Sequence, residues 1–436
     1  MSVNEKAIKG VKWTTLSTVL LTLCTLLKIS ILARLLDKSD FGLMAIITFV
    51  MGFVDLFMDM GISIAILHKQ KISKNEYSSL YWINIFLSIV VYLIILAITP
   101  LIAIFYKEDI LNILIPLTGF SILIVAIGRQ YKTILQKDLN FKKIAIIEIS
   151  AAVISLIFAI ILALKGFGIY SLIYSLLINY TLSNFTFLLL GFRSHPVRFH
   201  FKYRETKSFL KIGIFQVGSQ IVNYCNRDLD VLLIGKFFGP EILGGYSLAK
   251  QLVFRPAQII NPILTQVATP TLAKMQNDLM VLKINYLKLI NLVSSINFIA
   301  YLAIFVFAPY LVQIFYGDDY SLIVPIVRIL CFYMYIRALG NPIGSLVVAT
   351  GKTYLEFYWN VFTLAIMPIL IFLGAQRSVE WVAICISLGM FLLIIPNWYF
   401  LVRKMIPVSL NEFIVSLVPK IHFKEFRNYL TKKMKQ

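Results

Sequence analysis

Eleven charged residues stand inside stretches that are otherwise apolar: Lys28, Arg34, Arg227, Lys250, Arg255, Arg328 and Arg337, with Asp55, Asp59, Asp228 and Asp230. At the centre of a bilayer each charge costs about 2.5–3.5 kcal/mol, so this set facing lipid would cost on the order of 30 kcal/mol. These side chains must face a wet cavity or one another. The set carries a net charge of +3, with the cations concentrated in the second half of the chain. Arginine offers a planar fork that takes two phosphate oxygens at once, so a cationic cavity points to an anionic, phosphate-bearing ligand. The candidates for holding such an anion are Arg227, Arg255, Arg337, Lys250 and Lys28.

The spacing says which helix faces these residues occupy. Gln216, Gln220, Asn223, Arg227 and Asp230 recur at steps of 4, 3, 4 and 3, which is one polar stripe along a helix. Gln251, Arg255, Gln258 and Thr265 repeat the pattern around Pro262, and Arg337, Asn341 and Ser345 give a third stripe beside Pro342. Gln216, Gln220, Asn223, Gln251, Gln258 and Asn341 are therefore candidates for lining a polar cavity. Asp55 and Asp59, one helical turn apart, are candidates for coupling to protons or sodium. Thr14, Ser17, Thr18, Thr22 and Thr25 would add hydroxyls from the first apolar segment. A second reading stays open, in which the charges pair and hold helices together. Arg227 can reach Asp230 at i+3, Lys250 can meet Asp228, and Lys28, Arg34 and Arg328 can snorkel to the outer surface. Arg255 and Arg337 have no acidic residue within their own segments, which favours a ligand for them.

The elements that must position these residues follow from composition. The chain has 436 residues, is 59% hydrophobic and only 14% charged, and has a mean hydropathy of +0.84. Soluble domains carry about 25% charged residues. The apolar runs reach the roughly 20 residues that a helix needs to cross hydrocarbon, while a barrel would need short alternating strands. The expected fold is an all-α polytopic membrane protein. Spans are placed at about 13–35, 41–67, 79–105, 110–128, 144–164, 169–192, 209–238, 242–270, 289–315, 320–349, 354–374 and 381–402.

With the N-terminus inside, 29 of the 41 lysines and arginines fall on the inner side and four on the outer. The positive-inside rule then puts both termini in the cytoplasm. This topology accounts for most of the net charge of +20 without nucleic acid. The outer loops are very short ("LDKSDF", "YKED", "KGFG", "FGPE"), too small to hold the groups of a membrane glycosyltransferase or polymerase, so no enzyme is expected. The four cysteines lie within apolar segments and the four histidines outside them. Neither set has the spacing of a metal site or a nucleophile with its base, and no cofactor or metal is expected.

A short phrase occurs twice: "IFYKED" at 104–109 and "IFYGDD" at 314–319. A second match, at an offset of 203, pairs Gly10 with Gly213 and Gly42 with Gly245. Together they superpose spans one to six on seven to twelve. An even number of spans per half gives parallel repeats around a central cavity, an architecture used by transporters. The expected organisation is an N-terminal lobe at 1–203, a C-terminal lobe at 204–403 and a basic cytoplasmic tail at 404–436.

The segments "KAIKGVKWTTLS", "LARLLDKSDFGLMA" and "LIGKFFGPEILGGYSLA" resemble Wzx-type polysaccharide flippases of the multidrug/oligosaccharidyl-lipid/polysaccharide exporter superfamily, most closely its colanic-acid and teichuronic-acid branch. The resemblance spans nearly the whole chain to about residue 403. It implies a two-lobe transporter moving undecaprenyl-diphosphate-linked oligosaccharide to the outer leaflet of the bacterial cytoplasmic (inner) membrane, for surface polysaccharide biosynthesis. Its implied partners are that lipid, the surrounding membrane lipids, and the glycosyltransferases and polymerase of the same pathway. The family has no short catalytic motif, so the site residues rest on the stripes. Lipid II and multidrug export on the same fold are the alternatives within transport. A membrane-embedded glycosyltransferase or polymerase is the alternative from another class.

Overall fold

The structure, a computed structural model, describes residues 3–59, 62–69 and 72–420. Among these residues every regular element is helical. The first two spans are α1 (Val3–Ala33) and α2 (Lys38–Asp59), the latter followed by the short α3 (Ile62–His68). The third to sixth are α4 (Lys74–Tyr106), α5 (Leu111–Lys137), α6 (Phe141–Leu164) and α7 (Ile169–Ser194). The seventh and eighth are two arms of one long helix, α8 (Tyr203–Ala273), and the ninth is α9 (Leu279–Tyr316). A 3-10 turn (Asp318–Ile323), α10 (Val324–Leu339) and α11 (Asn341–Thr350) form the tenth, and α12 (Thr353–Ala375) the eleventh. The twelfth runs through α13 (Val379–Leu392), α14 (Ile394–Asn397), a π-helical turn (Trp398–Val402) and α15 (Arg403–Met405), and α16 (Leu410–Leu417) follows. Ten described helical stretches are long and apolar enough to cross a membrane, and the two arms of α8 complete the twelve expected. The protein is an all-α, multi-pass membrane protein.

Two helices outrun the hydropathy that located them. α5 continues past residue 128 to Lys137, and α9 begins at Leu279 rather than near 289. A backbone ladder needs no apolar side chains to propagate, so helices carry on beyond the hydrocarbon. The turn within α8 needs no loop at all. Gly239 alone is non-helical, at φ 80° and ψ 177°, a region essentially closed to side-chain-bearing residues. Pro240 then starts the next arm and disfavours a helical conformation for the residue before it.

The chain divides into two compact units, Met1–Leu248 with Val312–Ile323, and Ala249–Leu311 with Val324–Gln436. The first unit therefore holds the first arm of α8. In it, Tyr81, Tyr131, Ile134, Ile144, Ile147 and Phe187 pack as a core cluster of α4, α5, α6 and α7. Helices meet backbone to backbone at Gly42 and Gly244. A Cβ on Gly42 would strike the Pro240 carbonyl oxygen, and one on Gly244 would strike the carbonyl oxygen of Lys38. The contact is reciprocal: a shift of 202 residues maps Gly42 onto Gly244 and Lys38 onto Pro240. The same shift relates Arg34 to Lys236, which act alike. Arg34 Nη2 donates to the carbonyl oxygen of Ile314 at 2.8 Å, near the end of α9. Lys236 Nζ donates to that of Phe105, near the end of α4. Each cation thus meets carbonyls at a helix C-terminus, where the dipole favours positive charge. These carbonyls belong to the two "IFY" phrases, and both their tyrosines, Tyr106 and Tyr316, are buried. The geometry moves the repeat register from 203 to 202, a slip that strings of similar apolar letters do not reveal.

In the second unit, Leu272, Leu282, Tyr286, Leu346, Leu401 and Phe413 belong to one core cluster. α16 starts with a capping box in which Ser409 and Glu412 serve each other's backbone N–H groups. Lys283 Nζ lies 2.7 Å from Glu412 Oε1. The lysine hydrogen bond, followed by the Ser409 backbone and hydroxyl donors, lowers the Glu412 carboxyl from its ordinary 4.5 to about 2. A depressed folded-state value contributes stability above the unfolded value, and that contribution disappears as pH falls through the folded one. The Tm difference between the wild type and Glu412→Gln should hold steady from pH 7 to about 5, shrink below about 4.5 and vanish near 2. A difference independent of pH would show that the carboxylate charge contributes nothing.

Candidate functional site

In the second unit, two of the candidate cations converge on one ring. The Lys250 ammonium, from α8, lies 5.3 Å from the centre of Phe254, and the Arg337 guanidinium, from α10, lies 5.8 Å from it. Arg337 Nη1 also donates to the Tyr333 hydroxyl at 2.7 Å, one turn back on its own helix. Arg255 Nη1 donates to Gln258 Oε1 at 3.0 Å, so two members of the α8 stripe are engaged with each other. Lys250 is buried, while Gln251, Arg255 and Arg337 are half-buried. Each cation lies within cation–π reach of the same ring, so positive charge gathers at Phe254.

Asn341 sits where α10 gives way to α11. Its Nδ2 and the Oδ1 of Asn261 are both buried without a hydrogen-bond partner. They line a small cavity of about 10 Å³ shared with Thr265 and Ser345. That is about the space of one water molecule.

The remaining candidate cations belong to the first unit. Arg227 Nε lies 2.7 Å from Asp228 Oδ2 and its guanidinium stacks 5.1 Å from the Tyr224 ring centre. Asp230 accepts from the Tyr246 hydroxyl at 2.5 Å and from the backbone N–H of Val231. Lys28 is half-buried, and among the described residues nothing pairs with it. Asn223 and Gln220 are exposed on the same arm of α8. The side chains of Gln216 and Asp59 lie outside the described residues. The hydroxyls of α1 serve their own helix: Thr14, Thr18, Thr22 and Thr25 each donate to the carbonyl four residues back, and Ser17 to that of Thr14. Arg34 holds the α9 carbonyl described above. In the second unit Arg328 Nε donates to Phe305 O at 3.4 Å. Both arginines fix backbone.

Sequence reasoning missed a second group of charges. Asp55, on α2, is ion-paired with Arg129 of α5. Lys132 Nζ, one turn further on α5, lies 2.6 Å from Glu148 Oε1 of α6. These four side chains line a cavity of about 590 Å³ within the first unit, together with Thr133, Gln136, Asn179, Asn184 and Gln220. A fourth span ending at 128 leaves Arg129 and Lys132 outside the membrane segments, and Glu148 is absent from the eleven charges named above. The available signal was the α5 stripe Arg129, Lys132, Thr133 and Gln136, whose steps of three, one and three keep one helix face polar.

The fold is that of known polytopic transporters. The lipid II flippase MurJ, in an inward closed conformation, matches with a TM-score of 0.75 at 16% identity, over 93% of this chain and 90% of that one. An inward-facing multidrug resistance MATE family transporter of the MOP superfamily matches with a TM-score of 0.68 at 16% identity, over 88% and 94%. Sequence comparison is more specific. The family profile described as "Polysaccharide biosynthesis protein" matches residues 31–325. The lipopolysaccharide biosynthesis protein WzxC of Escherichia coli (strain K12) is 30% identical over 96% of this chain and 85% of its own length. The teichuronic acid biosynthesis protein TuaB of Bacillus subtilis (strain 168) is 30% identical over 96% and 86%. The chain belongs to this polysaccharide biosynthesis family.

Proposed function

We propose that the protein is a flippase for undecaprenyl-diphosphate-linked oligosaccharide repeat units, carrying them from the inner to the outer leaflet of the bacterial cytoplasmic membrane. The observation that carries this reading is the pair of cations, Lys250 and Arg337, gathered at Phe254 in a chain of a polysaccharide biosynthesis family. Arg255, Arg227 and Lys28 supply further positive charge for the diphosphate, and the amide stripes of α8 with Asn341 contact sugars. Residues 1–203 and 204–403 act as the two lobes of an alternating-access cycle, with both termini and the basic tail at 404–436 in the cytoplasm. Glycosyltransferases build the cargo and a polymerase consumes it. Outward movement of a dianion from a negative interior gains about 2.3 kcal/mol per charge per 100 mV, so the membrane potential supplies part of the drive. Asp55 and Asp59 remain the candidates for an ion-coupled contribution, Asp55 with Arg129 as its partner.

The test is loss of the protein in its own host. Deletion should abolish surface glycan and accumulate sugar-bearing undecaprenyl diphosphate on the inner leaflet, with both defects reversed by the wild-type gene. Normal surface glycan with arrested cell-wall synthesis would indicate lipid II as cargo. Normal glycan with heightened drug sensitivity would indicate a multidrug exporter. Saccharide polymerisation by the purified protein would restore the enzyme alternative.

A further inference from the structure

The first-unit cavity differs chemically from the cation pair of the second unit. Its charges are matched one for one: Asp55 with Arg129, and Glu148 with Lys132. A dianionic diphosphate would meet two carboxylates there and gain little. A sugar ring is different, because each hydroxyl both donates and accepts. The cavity offers both kinds of partner at close range. The carboxylates of Asp55 and Glu148 accept, and Arg129 and Lys132 donate, while each ion pair holds its members in place. Asp55 keeps 65% of its side chain exposed despite the arginine, so its lone pairs are within reach of a ligand.

Two further groups face the same space with capacity unused. The side-chain amides of Gln136 and Gln220 both line the cavity, and among the described residues neither makes a hydrogen bond. Asn184, by contrast, donates to the Tyr180 carbonyl at 2.9 Å, and Thr133 donates to Ser63 at 3.1 Å. A side-chain amide has a carbonyl and an NH₂ side by side, the combination that fits adjacent ring hydroxyls. The volume of about 590 Å³ lies within the roughly 300–1,000 Å³ typical of small-molecule sites.

We infer that this cavity is a saccharide subsite for an uncharged sugar ring, with Asp55 and Glu148 accepting from hydroxyls and Gln136 and Gln220 bridging neighbouring ones. The assignment rests on the flippase reading above and concerns the sugar end of the cargo.

The probes are the lipid-linked glycan that accumulates in a strain lacking the protein, and undecaprenyl diphosphate, the same lipid stripped of its sugars. Binding of each to the purified full-length protein in nanodiscs is compared for the wild type and for Gln136→Ala/Gln220→Ala. The wild type should bind the sugar-bearing lipid more tightly. The double variant should lose about tenfold for that lipid, as expected for two amide hydrogen bonds, and bind the stripped lipid unchanged. The unchanged arm also reports that the variant is folded. Equal losses for both lipids, or no loss for either, would overturn the saccharide subsite while leaving the flippase reading intact. Failure of the wild type to bind either lipid would overturn both.

Discussion

Gly42→Val is expected to stop glycan export while leaving the protein in the membrane. The new side chain would enter the space of the Pro240 carbonyl oxygen, a backbone atom that cannot rotate aside. Overpacking of this kind costs about 1–3 kcal/mol. If the two turns part and reclose during the proposed alternating-access cycle, it would move that equilibrium by about 5- to 150-fold toward the open arrangement. The readouts are surface glycan and labelling, by an impermeant maleimide, of a cysteine placed at Ser39 beside the contact. Labelling requires a background without Cys24, Cys225, Cys331 and Cys385, all of which are free thiols. Export should vanish and labelling should rise, and Gly244→Val should behave the same way, since its Cβ would strike the Lys38 carbonyl. Normal export with unchanged labelling in either variant would mean that the two turns do not gate transport.

Lys250→Ala/Arg337→Ala is expected to cost most of the affinity for undecaprenyl diphosphate. Hydrogen bonds to charged groups contribute about 1.5–3 kcal/mol each, so either single variant should weaken binding about 10- to 150-fold. The double variant should exceed both singles and flatten the salt dependence, because fewer charges remain to be screened. Cells carrying it should accumulate the lipid-linked intermediate. Arg34→Ala is the control: its guanidinium holds the Ile314 carbonyl, so it should leave diphosphate affinity unchanged. Equal affinity for the wild type and the double variant would remove these cations from the binding site.

Much of the fold was legible because apolar length is a strong, simple signal. All twelve spans have helical counterparts, and the turn at "FGPE" falls at Gly239 as its residues suggest. The cation pair at Phe254 joins residues already singled out. Helix ends were less legible, and the error had consequences. Ending the fourth span at 128 hid Arg129, and with it the partner of Asp55. Hydroxyls misled for a different reason. Threonines in an apolar helix satisfy themselves on the carbonyl four residues back, so a stripe such as Thr14, Thr18 and Thr22 carries no news of a cavity. Pairings between distant residues, such as Lys132 with Glu148, leave no trace in a single sequence.

The crossed bonds from Arg34 to Ile314 and from Lys236 to Phe105 form a two-fold pattern of the kind a symmetric dimer uses. In each, a cation from the opening span of one half grips a helix end of the other half. A six-span ancestor could make the same bond only to a second copy of itself, with one residue serving both sides of an isologous contact. Within one chain the two sides need not be identical, and here arginine stands on one side where lysine stands on the other.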